Sequence, residues 1–174
     1  ALISAAFGLP QHGKTEPAAA LPPPLSAEQE SARRALFQRF PASVIFDSNR
    51  SSSFGIYRVN LDGSNLRVLI DGSLEEMFPD PSPDGRSFVF SRSASTARYA
   101  PAGVWLANID GAAERKLADD GTFPTFSADG RSVYFERNRH KIMQVDVAGG
   151  EAREVFPAGN KEFARCEVVK PRIS

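Results

Sequence analysis

The chain is poor in the side chains that most catalysis and metal binding require. Of its 174 residues one is cysteine, Cys166, and two are histidine, His12 and His140. A single cysteine excludes an intramolecular disulfide framework and any cysteine-rich zinc site. The histidines lie far apart and leave little material for a metal site or a catalytic triad. There is no G-x-S-x-G elbow. Charge of one sign is missing too: 21 Lys and Arg face 21 Asp and Glu. Nothing therefore argues for a nucleic-acid backbone or an anionic membrane as the main partner. Long hydrophobic runs are lacking as well. Residues 1–9 (ALISAAFGL) are apolar, but nine helical residues rise only about 14 Å against a hydrocarbon core of about 30 Å. What is plentiful is phenylalanine, 13 residues against three Tyr and one Trp. With 41% hydrophobic residues and 13 glycines the composition is that of a globular chain. Its length suits one domain, or one small domain with appendages.

The first forty residues differ from the rest. No Met begins the chain and no basic region precedes the apolar run. The run reads as the tail of a longer membrane-anchoring segment, as a short docking peptide, or as a disordered apolar stub. Pro17–Leu25 (PAAALPPPL) is Ala/Pro-rich, and its consecutive prolines fix φ and remove donors, giving an extended semi-rigid spacer. Ser26 with Gln29 fits a capping box, with Glu28 and Glu30 in the first turn, basic Arg33, Arg34 and Arg39 further on, and Pro41 as the stop. A helix over Ala27–Gln38 follows. Ala32, Ala35, Leu36, Phe37 and Phe40 supply one modest apolar stripe, expected to pack on its own domain rather than on a partner. Gly8-Leu-Pro-Gln-His-Gly13-Lys14-Thr15 fits the phosphate-loop pattern letter for letter. The chemistry also needs a helix aimed at the phosphates. Pro17 and the prolines beyond it forbid that helix, and Pro10 removes a donor, so the match is spurious.

The rest of the chain repeats. Val44-Ile45-Phe46, Phe88-Val89-Phe90 and Val133-Tyr134-Phe135 recur at spacings of 44 and 45 residues. After each comes an alternating run ending at a turn: IYRVNLDG (56–63), VWLANIDG (104–111) and IMQVDVAGG (142–150). Each is followed by a short strand-like piece: LRVLI (66–70), ERKLA (114–118) and EAREVF (151–156). FPDPSPDGR (78–86) matches FPTFSADGR (123–131). A period near 45 residues with four short strands per unit describes propeller blades. Ser82-Pro83-Asp84-Gly85 and Ser127-Ala128-Asp129-Gly130 suit the hairpin between the first two strands, with glycine where φ must be positive. Asp62-Gly63, Asp110-Gly111 and Gly149-Gly150 serve later hairpins.

These units, aromatic-Pro-x-x-Ser-x-Asp-Gly at Phe78–Gly85 and Phe123–Gly130 with the apolar triplets after them, resemble the TolB-type propeller repeat. The same repeat occurs in the propellers of prolyl-oligopeptidase-like enzymes. The resemblance covers roughly Val44–Phe156. It implies an all-β fold of about three four-stranded antiparallel blades, a partial or open propeller preceded by one short helix and an extended arm. Residues 1–25 are then an apolar, Pro-rich arm or anchor remnant, 26–41 the helix, and 42–174 the blades. Residues 163–169 (FARCEVV) stand where a further first strand belongs and could complete the first blade, which otherwise starts at its second strand. Three blades fall short of the about four to eight of closed rings. Open blade faces and a strand edge need a cover.

No constellation of catalytic, cofactor or metal residues emerges. Arg137-Asn-Arg-His140-Lys141 reads as a solvated basic turn. Asp80, Asp84, Asp119 and Asp120 lack the spacing of a calcium loop and suit turn chemistry. Cys166 reads as a buried inert thiol, Trp105 as core, and Asn49-Arg50-Ser51 as an isolated sequon match. TolB-like proteins are periplasmic and work by protein–protein contact. The resemblance thus implies a non-catalytic, extracytoplasmic accessory or scaffold subunit that docks on a membrane-associated complex through Ala1–Leu25 and an outward blade face. The alternative is the propeller portion of a prolyl-oligopeptidase-like serine peptidase.

Overall fold

The computed structural model describes residues 2–5 (backbone), 24–96, 100 and 102–162. Strand β1 (Leu2–Ala5) and helix α1 (Ala27–Arg39) precede three consecutive sets of strands. The first set is β2 (Ser43–Ser48), β3 (Gly55–Asn60) and β4 (Arg67–Ile70). The second is β5 (Glu75–Pro81), β6 (Ser87–Ser93), β7 (Ala102–Asn108) and β8 (Arg115–Ala118). The third is β9 (Thr122–Phe126), β10 (Ser132–Arg137), β11 (Lys141–Asp146) and β12 (Arg153–Phe156). Each set forms its own four-stranded sheet in meander order, with β1 added beside β2 in the first. These are the three blades that the repeat predicts. All pairs within β2–β12 are antiparallel, whereas β1 runs parallel to β2, Leu2 opposite Ser43 and Ala5 opposite Phe46. Part of the 1–9 run thus takes the place beside β2 that residues 163–169 were expected to fill. Those residues, with Cys166, lie outside the described ones.

Hairpin chemistry fixes the registers. Gly85 and Gly130 both have φ +71°, and their N–H groups donate to Ser82 O and Ser127 O at 2.9 Å. Ser82 Oγ lies 2.6 Å from Asp84 Oδ1 and accepts the Ser87 N–H at 3.0 Å. Ser127, Asp129 and Ser132 repeat those distances. The turn is a small covalent neighbourhood that satisfies itself, which is why it recurs intact.

Strand alternation sends successive side chains to opposite blade faces, and the triplets fill two seams. Ile45, Ile56 and Ile70 of the first blade meet Phe88, Phe90 and Ala107 of the second. Val89, Val104, Leu106 and Leu117 of the second meet Phe126, Val133, Phe135, Met143 and Val145 of the third. Phe88, Phe90, Phe135, Val89 and Val133 are fully buried.

Two features depart from the sequence reading. The capping box forms as expected, Gln29 N–H to Ser26 Oγ at 3.2 Å and Ser26 N–H to Gln29 Oε1 at 2.8 Å. Yet no residue of α1 is buried: the stripe expected to pack on its own domain stays open, because the blades already fill their seams with one another. Second, Phe78 (φ +58°) and Phe123 (φ +52°) adopt the left-handed conformation rare for aromatics. They lie in the bulged first strands of blades two and three, where the register shifts between Met77 and Asp80 and opposite Tyr134–Glu136. Their rings meet across the seam with centroids 4.3 Å apart.

Candidate functional site

The polar groups that sequence alone could connect with chemistry are occupied in holding the blades. Asp80 Oδ2 accepts from Thr125 Oγ1 at 3.1 Å and from Phe126 N–H at 3.0 Å, across the second seam. Asp84 belongs to its hairpin, where the Ser82 hydroxyl and then the Arg86 N–H hold its carboxyl below the usual range. Asp119 pairs with Lys116 at 3.1 Å and Asp120 with Arg137 at 2.7 Å. The four aspartates are not gathered, and no cluster of His, Cys, Asp or Glu fit for a metal exists among the described residues. The basic turn is similarly tied down: Lys141 bridges Glu154 at 2.7 Å. Residues 6–23, with His12 and the phosphate-loop letters, lie outside the described residues. Trp105, read from the sequence as core, is half-buried and packs against the first seam from outside its buried cluster, and Asn49 is exposed.

Two buried acids stand out. Glu76 is 1% exposed; burial pushes its carboxyl up, against the opposing pull of Arg92. Arg92 Nε donates to Glu76 at 2.9 Å and its Nη2 to Glu114 at 2.6 Å, while the guanidinium lies 5.2 Å from the Phe90 ring centre and 4.6 Å from Trp105. A nucleophile or a second base within reach is what a catalytic reading would require; here each group is spent on its neighbour. Glu136 is 3% exposed. Burial raises its carboxyl, opposed by the Arg139 backbone N–H and by the charges of Arg139 and His140.

Apolar groups instead are on offer. Leu36 (57% exposed) and Phe40 (54%) stand on and just beyond α1, with Leu61 (43%), Leu66 (50%) and Val68 (52%) around the β3–β4 hairpin. The two elements adjoin. Leu61 N–H donates to Ala42 O at 3.0 Å, Arg33 Nη1 would lie 3.1 Å from a Cβ on Gly63, and the Arg33 charge helps to lower Asp62, after its bonds to Ser64. Leu25 at 43% exposed leads into the helix. Sequence reasoning named the helix stripe but gave it to the core. Leu61 and Leu66 gave no separate signal, because on the chain they read as ordinary strand residues.

Comparison with known proteins agrees with this architecture. No family model matches the chain. It is 33% identical to an uncharacterized protein of Agrobacterium fabrum, over 54% of this chain and 36% of that protein. The solved structure of an Agrobacterium tumefaciens protein described as TolB superposes with a TM-score of 0.55 at 25% identity, over 66% of this chain and 45% of that one. TolB of Acinetobacter baumannii gives 0.52 at 20% identity, over 63% and 28%. The chain thus spans about a third of the curated relative and less than half of either solved protein. The described blades form a partial propeller of the TolB type.

Proposed function

We propose that the chain is a non-catalytic protein–protein interaction subunit of the cell envelope, a periplasmic or otherwise extracytoplasmic module that docks on, and stabilises, a larger membrane-associated complex. The observation that carries this reading is the adjoining exposed apolar surface of α1 and the β3–β4 hairpin. Single exposed leucines are ordinary; several on two touching elements mark a binding surface. The TolB-type blades support the choice of protein as the ligand. No helix among the described residues is long and apolar enough to cross a membrane; in this reading the Ala1–Leu25 arm contributes to attachment. No cofactor enters it.

Photo-crosslinking in intact cells tests it. A crosslinking residue placed at Leu36 or Leu66 should yield an adduct with the same envelope protein from both positions, and none from exposed Glu151. Absence of adducts at Leu36 and Leu66, or equal labelling from Glu151, overturns the reading.

A further inference from the structure

Strands β4, β8 and β12 end the sheets of the three blades and can be compared position by position. The aromatic that closes each triplet fixes the register. Phe46, Phe90 and Phe135 pair with Tyr57, Trp105 and Met143, and these pair in turn with Val68, Lys116 and Glu154. The neighbouring rung sets Arg67, Arg115 and Arg153 opposite Arg58, Leu106 and Gln144. An edge strand presents unpaired N–H and C=O groups, and charged side chains are the usual guard against another chain pairing with them.

Blades two and three keep that guard and anchor it. Lys116 pairs with Asp119 at 3.1 Å and lies 5.4 Å from the Trp105 ring centre, while Arg115 donates to Val147 O. Glu154 pairs with Lys141 at 2.7 Å, and Arg153 donates to Gln144 Oε1 at 2.7 Å. Blade one departs at both positions. Val68 stands exposed where the other blades carry a charge, and Leu66 just before the strand is exposed too. Arg67 is exposed, and its side chain has no hydrogen bond or ion pair among the described residues. Its cross-strand neighbour is a second arginine, Arg58, whose Nε donates to Ser43 Oγ at 2.9 Å. Like charges directly opposite one another are destabilising; burial, and then the Arg67 charge, lower the pKa of Arg58.

We infer that β4 receives an extended segment of the docking partner as an added strand, with side chains alternately apolar and acidic. This rests on the docking reading and names the chemistry of that partner. By alternation Val68 and Arg67 point to opposite faces of β4, so a chain laid along the free edge meets both. Its main chain satisfies the edge groups, its apolar side chains cover Val68 and Leu66, and its carboxylates neutralise the arginine pair. A lipid surface has no main chain to offer. A second copy pairing edge to edge brings more arginine and no acid, since β4 reads Arg-Val-Leu-Ile.

Fluorescence anisotropy on the full 174-residue chain tests it, with labelled peptides as long as a blade strand. A peptide alternating Val and Glu should bind. One alternating Val and Lys, or the Val–Glu peptide N-methylated throughout, should bind at least about fivefold more weakly. Val68→Glu gives blade one the residue that blade three carries as Glu154, and Arg67→Glu sets an acid opposite Arg58, so both variants should keep the far-ultraviolet circular dichroism spectrum. Each should weaken the Val–Glu peptide at least about fivefold, and Arg67→Glu should turn the preference toward the Val–Lys peptide. No binding of the Val–Glu peptide overturns the inference, as does equal binding of the Val–Lys or N-methylated peptide. Indifference to both variants, or binding to phosphatidylglycerol vesicles in place of the peptide, overturns it too. Crosslinks from Leu36 and Leu66 without peptide selectivity sink this inference and leave docking standing, whereas missing crosslinks count against docking itself.

Discussion

At Gly130 the backbone carries φ +71°, and a Cβ there would touch only Pro83 at 3.5 Å. The site is roomy, so the whole cost of a side chain is conformational. Gly130→Val should destabilise by about 1 to 2 kcal/mol in urea unfolding. Gly111 is the opposite case. A Cβ there would lie 2.2 Å from Leu69 O of the first blade, backbone that cannot swing aside, so Gly111→Ala should cost more than Gly130→Ala. Asp129 sets the pH response of its turn. The Ser127 hydroxyl, then the Arg131 N–H, hold its carboxyl below the usual range. A carboxyl lowered by folding adds stability that is present above the ordinary carboxylate pKa and is lost as pH falls through the folded value. The stability deficit of Asp129→Asn should therefore shrink as the medium is acidified from neutral to about pH 3, read by denaturant midpoints across that range. The Ser-x-Asp-Gly letters made this turn legible on the chain. The left-handed Phe78 and Phe123 were not legible, because nothing in an aromatic side chain asks for positive φ; the bulge and the ring contact across the seam impose it.

Among the elements, β6 carries the densest polar load. Arg92 binds Glu76 and Glu114 and covers two rings, and Glu76 on β5 has only 1% exposure. Removing the arginine leaves a buried carboxylate with its countercharge gone. Arg92→Ala should cost about 3 to 5 kcal/mol, measured by urea unfolding at neutral pH, with part of the loss recovered at acid pH as Glu76 protonates. Burial already raises that carboxyl, which moves the recovery to higher pH than for an exposed glutamate. Helix α1 shows the converse. Its cap letters, Ser26 and Gln29, specified its start correctly, but amphipathicity says only that a stripe exists. Whether Leu36 and Phe40 meet a core depends on which blade surfaces lie against the helix, and neither side chain is buried there.

On the scale of the whole molecule the blades form a line in which each touches its neighbours, as in repeat arrays. Phe88 lies in the first seam and Phe135 in the second, both fully buried. Phe88→Ala should cost about 3 to 5 kcal/mol and loosen the array unevenly. Hydrogen exchange should rise in β2–β4 while β9–β12 remain protected. Uniform loss of protection would show instead that all three blades unfold as one unit.

The sequence by itself determined the strands, the hairpin turns and the number of blades described, because two-residue alternation and the turn residues act over a few bonds and repeat every 45 residues or so. It also showed that cysteine and histidine are scarce, one and two residues, which leaves little material for a cysteine-rich zinc site or a histidine-based triad. Only the tertiary structure decided that Leu2–Ala5 lies parallel to β2, that α1 leaves its apolar stripe open, and that Glu136 is buried with an unpartnered oxygen. Those outcomes depend on which surfaces remain after the seams have closed, and that is fixed by contacts between residues far apart along the chain.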